Sequence, residues 1–203
     1  MVSILIVSEG IHELSCENSD GALPILVRRL LGNALTISVQ TRQIHELKGH
    51  VHPGRGDRLG RKFIGIVRLA EREGFDAVVI LIDQDGDGTR FKSATFAQET
   101  TVTSFPRAIG IAVKTFDAWF LADYQSLSKV LKTDVDMQPD PESIGNPKAV
   151  CQLLNENAVG DLRLRDLYTN VAMIADLQTL RQRCLSGFSV FAARIEALQH
   201  LFS

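Results

Sequence analysis

The chain predicts an α/β fold of about four mainly parallel strands flanked by helices, with a helical C-terminal extension. Three observations carry that expectation. Short apolar runs rich in β-branched residues recur at residues 4–7, 35–39, 77–82 and 108–113. Segments with apolar residues at helical spacing lie between several of them, the order that builds a parallel sheet covered by helices. Pro139, Pro141 and Pro147 then interrupt the chain, and the segments beyond read as helix alone.

Ile4, Leu5, Ile6 and Val7 are apolar without interruption, so the first strand is expected to be buried on both faces before it ends in Ser8-Glu9-Gly10. Residues 23–31 have helical spacing, with Asn33 behind them as a terminator. A second strand follows at 35–39. The stretch from Gly49 to Gly56 holds three glycines, a proline, two histidines and an arginine, the composition of a loop. Asp57 is placed to cap a helix over 59–73, where Phe63, Ile66, Val67 and Ala70 share one face and Gly74 supplies the stop. The strand at 77–82 runs straight into Asp83-Gln84-Asp85-Gly86-Asp87-Gly88. A fourth strand at 108–113 precedes a helix expected over 116–131, with Trp119, Phe120, Leu127, Val130 and Leu131 for packing. The core is thus expected over residues 1–132. Residues 133–203 form a linker and a helical C-terminal extension packed on that core, with helices at 148–155, 177–184 and 190–201.

Composition narrows the class only a little. A net charge of −2 excludes a global electrostatic signature of nucleic-acid binding, so any such contact must be local. Cys16, Cys151 and Cys184 are too few and too scattered for a disulfide framework or a zinc ligand set. The start lacks a basic region and a cleavage site, and no apolar run reaches bilayer length. The expectation is a cytoplasmic protein with no membrane partner.

The acidic turn is the most informative feature. Ligand sites of open α/β sheets lie at the carboxyl ends of the strands. Alternate residues of an extended chain share a side, so Asp83, Asp85 and Asp87 can direct oxygens at a hard cation. Parallel strands would bring Glu9 to the same edge, and Glu13 is a secondary candidate. Three competing readings stay open. Asp and Gly are favoured in plain polar turns. The run also imitates the first half of a calcium loop, but its twelfth position is Ala94 instead of a bidentate Glu. Finally, Asp85-Gly86-Asp87-Gly88-Thr89 resembles the nucleophile motif of haloacid-dehalogenase-like phosphatases, in which Asp85 would attack phosphorus and Asp87 would serve as acid/base.

Glu9 after the first strand and Asp83-x-Asp85 after a later one together resemble the TOPRIM domain of topoisomerases, primases and OLD-family nucleases. Two further stretches, Ala112 to Asp123 and Arg183 to Phe191, resemble the TOPRIM-like DUF4276 family. The resemblance implies a TOPRIM/Rossmann-like topology in which Glu9 is a general acid/base or metal ligand. It implies that Asp83 and Asp85 bind Mg²⁺, with Mn²⁺ as a substitute and Asp87 assisting. Lys114 would steady a phosphate or developing negative charge, and Asp117 is a further secondary candidate. One position departs from the family pattern: Thr115 stands where an acidic residue is expected two places before Asp117. If that position is a ligand in relatives, the metal set here is altered or activity weakened.

His50, His52, Arg55, Arg58, Arg61 and Lys62 gather positive or titratable groups around the glycine-rich loop, where a phosphate backbone can dock. The expected function is therefore Mg²⁺-dependent phosphodiester cleavage on nucleic acid, in prokaryotic defence or nucleic-acid processing. An ATPase partner fits the family context, and homo-oligomerisation is open. The alternatives are the phosphatase and a non-catalytic partner module.

Overall fold

The computed structural model describes residues 1–16, 19–32, 35–158 and 162–202. Their order is β1 (Val2–Ser8), α1 (Ile11–Leu14), β2 (Ser15–Cys16), β3 (Ser19–Asp20), α2 (Ala22–Leu31), β4 (Ile37–Gln43), α3 (Arg58–Arg72), β5 (Ala77–Asp83), α4 (Thr89–Glu99) and β6 (Arg107–Ala112). The chain continues through α5 (Asp117–Ala122), α6 (Tyr124–Leu131), a 3₁₀ turn (Pro141–Ser143), α7 (Pro147–Glu156), α8 (Leu164–Ile174), α9 (Leu177–Arg183) and α10 (Phe188–Leu201). Four strands form one sheet in the order β4-β1-β5-β6, and every neighbouring pair is parallel. β2 and β3 make a separate two-residue antiparallel ladder.

The uninterrupted apolar strands are explained by helices on both faces. Leu5, Val7, Val78, Ile80, Ile82, Ile109 and Ile111 point to one side, against Phe63, Ile66, Val67 and Ala70 of α3 and Ala94 and Ala97 of α4. Ile4, Ile6, Val79 and Leu81 point to the other, against side chains of α2, α5, α8 and α10. The sheet is therefore the middle of three layers, and its carboxyl edge is left for loops.

Several expectations hold as read. α3 begins on Asp57, whose side chain accepts the Gly60 N–H at 2.8 Å, and stops where Gly74 takes φ +80°. Others need correction. The helix expected over 116–131 is two helices, because Asp123 leaves helical geometry. Its carboxylate accepts the Ser126 N–H, capping α6, and the Asp176 N–H, tying α6 to the chain before α9. Helices α4 and α8 were not anticipated. α4 supplies the crossover that parallel β5 and β6 require, yet its buried apolar residues are the small Ala94 and Ala97 while the larger Phe96 is exposed, so no strong amphipathic period marks it. Asn33, the expected terminator of α2, lies outside the described residues.

The helices past Pro147 share the core of the sheet. Trp119 of α5 is fully buried, with ring centroids at 5.0 Å from Phe116, 5.0 Å from Phe188 and 5.6 Å from Phe191. That burial gives Trp119 the packing role its helix position predicts. Gly110 of β6 lets α10 approach, since a Cβ there would meet the Phe191 ring at 2.5 Å. Among the described residues no helix is long and apolar enough to cross a membrane. Cys16, Cys151 and Cys184 are all free thiols.

Because Phe191 joins the last helix to the sheet, Phe191→Ala is expected to cost about 3–5 kcal/mol. Chemical denaturation should still show one cooperative transition. Two separated transitions would mean that the C-terminal helices fold as an independent unit.

Candidate functional site

Parallel pairing places the end of β1 beside the end of β5, with Ser8 opposite Leu81. The next residue, Glu9, then lies against Asp83, and the Asp83 N–H donates to Glu9 Oε2 at 3.3 Å. Two acidic residues 74 positions apart thus become neighbours. Gly10 follows, and a Cβ there would stand 2.6 Å from the Glu13 carboxylate, which would have to move aside.

These residues open onto a cleft of about 390 Å³ lined by Glu9, Glu13, Asp83, Asp85 and Asp117, with Thr115 and Tyr168 among the remaining walls. Arg90, in the first turn of α4, is held at its acidic end. Its Nη1 donates to Glu9 Oε2 at 2.9 Å and to the Asp83 carbonyl at 2.6 Å, and it pairs with Asp85 Oδ2 at 3.1 Å. Three oxygens from three residues therefore surround one cationic nitrogen. The Asp83 carboxylate faces elsewhere and accepts the Phe116 N–H at 2.7 Å. Asp117 accepts a hydrogen bond from the Tyr168 hydroxyl, which brings α8 of the C-terminal part into the site. Among the described residues no set of three or more His, Cys, Asp or Glu side chains is gathered closely enough to hold a metal ion.

The loops that carry this arrangement are strained and cross-linked. Asp85 and Lys114 both adopt left-handed backbone, at φ +50° and +59°. Such geometry is uncommon outside glycine and concentrates at functional sites. The Asp85 N–H donates to the Lys114 carbonyl at 3.0 Å, and the Lys114 N–H to Gln84 Oε1 at 3.2 Å. The loop after β5 is thereby fastened to the loop after β6.

Crowding of carboxylates in a partly desolvated cleft shows in their protonation. Burial pushes Glu13 up to about 8, with the Asp83 charge adding to it, even though the Ser8 hydroxyl donates to its carboxylate. Asp83 is pushed up to about 7, again mainly by burial and then by Asp117, Asp85 and Glu9, against the pull of the Phe116 N–H. The carboxyls of the cleft thus oppose one another's ionisation.

A basic wall adjoins the cleft. Lys48, Arg58 and Lys62 line a second pocket of about 410 Å³ with Val51 and Leu59. Lys62 is held below the usual lysine range by partial burial, with Glu9 attracting its charge and Arg58 and Lys48 repelling it. The loop before α3 folds back onto that helix, with the His52 N–H donating to the Arg61 carbonyl at 3.0 Å.

Set against the sequence, the structure brings Glu9, Asp83, Asp85, Glu13 and Asp117 to one cleft. Asp87 is not in its lining: it accepts the Thr89 N–H and hydroxyl at 2.8 and 2.7 Å, at the start of α4. Lys114 contributes backbone to the loop cross-link and is likewise absent from the lining. Of the basic set, Arg58 and Lys62 line the second pocket, while His50, His52, Arg55 and Arg61 do not. His52 Nδ1 instead accepts the Gly54 N–H at 3.0 Å. Four participants had not been singled out: Arg90, Lys48, Lys148 and Tyr168. Arg90 carried one signal, a lone arginine in the first helical turn after a D-x-D loop. Lys148 and Tyr168 carried none, since they reach the cleft from helices beyond the linker.

Comparison with known families finds DUF4276, a domain of unknown function, over residues 19–196. No curated protein and no solved structure matches the chain.

The raised pKa values make stability depend on pH. A carboxyl whose folded value is raised contributes stability in full below its unfolded value, near 4.5 for Glu13, and loses it as pH rises through about 8. Glu13→Gln does not titrate, so it should gain on the wild type by roughly 1–3 kcal/mol between pH 5 and pH 9. Urea melts at the two pH values read this directly, and parallel pH profiles for the two proteins would refute it.

Proposed function

The chain belongs to the DUF4276 family, and we propose that it is a Mg²⁺-dependent phosphodiester-cleaving enzyme that acts on nucleic acid through a TOPRIM-like fold. The observation that carries the reading is the convergence of the Glu9 and Asp85 carboxylates and the Asp83 backbone carbonyl on one cationic nitrogen at the carboxyl edge of a parallel sheet. The donors are all hard oxygen. Mg²⁺ typically binds one or two carboxylates and keeps several waters, so this donor set suits it without a complete protein cage. Mn²⁺, with similar ligand preferences, would substitute.

Glu9, Asp83 and Asp85 would hold the ion, and Glu13 and Asp117 add negative charge to the same cleft. When bound, Mg²⁺ supplies an activated water and neutralises charge on a phosphoryl group. The protein's own groups do the rest. Asp83, pushed up to about 7 while no cation is bound, would give up its proton as the ion enters, so ion binding should strengthen as pH rises through neutrality. Lys48, Arg58 and Lys62 offer donors to backbone phosphates beside Glu9. Lys148 lines the cleft itself, where a second phosphate can be met. The TOPRIM resemblance extends the proposal to prokaryotic defence or nucleic-acid processing, with an ATPase as partner. The phosphatase alternative has no comparable support, because the Asp87 carboxylate is engaged by Thr89 outside the cleft lining.

With Mg²⁺ or Mn²⁺, the purified protein is expected to cut DNA or RNA oligonucleotides, and chelation should stop it. Glu9→Gln and Asp83→Asn should each lower the rate about 100-fold or more, while Asp87→Ala should leave it within about threefold. The paired charge reversal Arg58→Glu, Lys62→Glu should weaken substrate binding and flatten its salt dependence by about one unit of slope per lost phosphate contact. Intact oligonucleotides under both metals, or activity indifferent to Glu9 and Asp83, would contradict the proposal.

A further inference from the structure

Arg90 is tied to the acidic site more closely than any other cation described in it. A single nitrogen, Nη1, contacts Glu9 Oε2, the Asp83 carbonyl and Asp85 Oδ2, all within 3.1 Å. The residue is anchored well enough to stay there. It lies in the first turn of α4, whose Ser93 hydroxyl donates to Asp57 at 2.9 Å, and only a short loop separates it from Asp83. The Arg90 side chain is 21% exposed, against 34% for Glu9 and 52% for Asp85, so the guanidinium lies beneath the carboxylates rather than out in solvent.

We propose that Arg90 is a tethered surrogate cation that competes with the divalent ion for Glu9 and Asp85 and thereby sets how tightly the cleft binds that ion. The inference rests on the metal-dependent reading above. An ion that uses these oxygens must break two ion pairs and the bond to the Asp83 carbonyl, and it meets a positive charge while doing so. Both effects weaken its binding. When the ion is absent, the same guanidinium holds the carboxylates together, since oxygens that share a cation repel each other less. Ion binding is therefore an exchange of cations rather than the filling of an open cage, which accounts for the lack of any ready-made group of three metal-ligating side chains among the described residues.

Titration calorimetry with Mn²⁺ alone tests the idea, comparing the wild type with Arg90→Ala at one pH and ionic strength. The variant is expected to bind Mn²⁺ about tenfold more tightly or better. Millimolar guanidinium should weaken Mn²⁺ binding to the variant and leave the wild type unchanged, an effect that a purely structural role for Arg90 does not produce. Should Arg90→Ala fail to fold, the wild type answers alone: the guanidinium NMR signals of Arg90 should shift on saturation with Mg²⁺. Equal or weaker Mn²⁺ binding by a folded variant, or Arg90 signals unmoved by Mg²⁺, would overturn the competition while leaving the metal-dependent reading in place. No Mn²⁺ binding by either protein would overturn both.

Discussion

The pairing of β1 with β5 in parallel, with Ser8 opposite Leu81, is the contact on which the candidate site depends. A parallel ladder makes both strands reach the same edge, so Glu9 and Asp83 emerge side by side although far apart in the chain. A shift of one residue would turn each buried side chain of β1 to the opposite face. That shift is resisted from both sides. Ile4 and Ile6 are buried in one apolar layer and Leu5 and Val7 in the other. The chemistry at the sheet edge is thus held in place by hydrophobic packing beneath it.

What the packing holds is electrostatically unfavourable. Burial pushes both Glu13 and Asp83 up, with the Asp83 charge adding to the first and those of Asp117, Asp85 and Glu9 to the second. Asp85 and Lys114 accept left-handed backbone to complete the surrounding loops. Strain and desolvation of this kind persist only where the rest of the fold over-determines the geometry. Here the C-terminal helices take part. Tyr168 of α8 stacks on Phe120 at 4.8 Å and donates its hydroxyl to Asp117, so one residue packs the core and orients a carboxylate of the cleft. Removing the part beyond the linker would unwall the site as well as uncover the sheet.

The legible part of this structure is the part with local signals. Apolar runs marked three of the sheet strands and alternation over 35–39 the start of the fourth, which runs on to Gln43; Asp57 and Gly74 marked the ends of α3, and the acidic turn after 77–82 marked the sheet edge. Glu9 became meaningful only through the expectation of parallel strands. The unread features are those whose cause is tertiary. α4 has no apolar stripe because the small Ala94 and Ala97 meet the sheet while Phe96 covers Gly56. The break at Asp123 depends on a partner at Asp176, and Arg90 finds Glu9 81 residues away. Asp87, equal to Asp83 and Asp85 in the sequence pattern, differs from them because the chain has already turned into a helix.

The central claim is that Glu9, Asp83 and Asp85 bind a divalent cation together. Crystals soaked in Mn²⁺ and measured by anomalous scattering near the manganese edge test it most directly. The account predicts an anomalous peak coordinated by oxygens of these three residues. A well-ordered cleft without such a peak, or manganese bound only at sites away from Glu9 and Asp83, would contradict it.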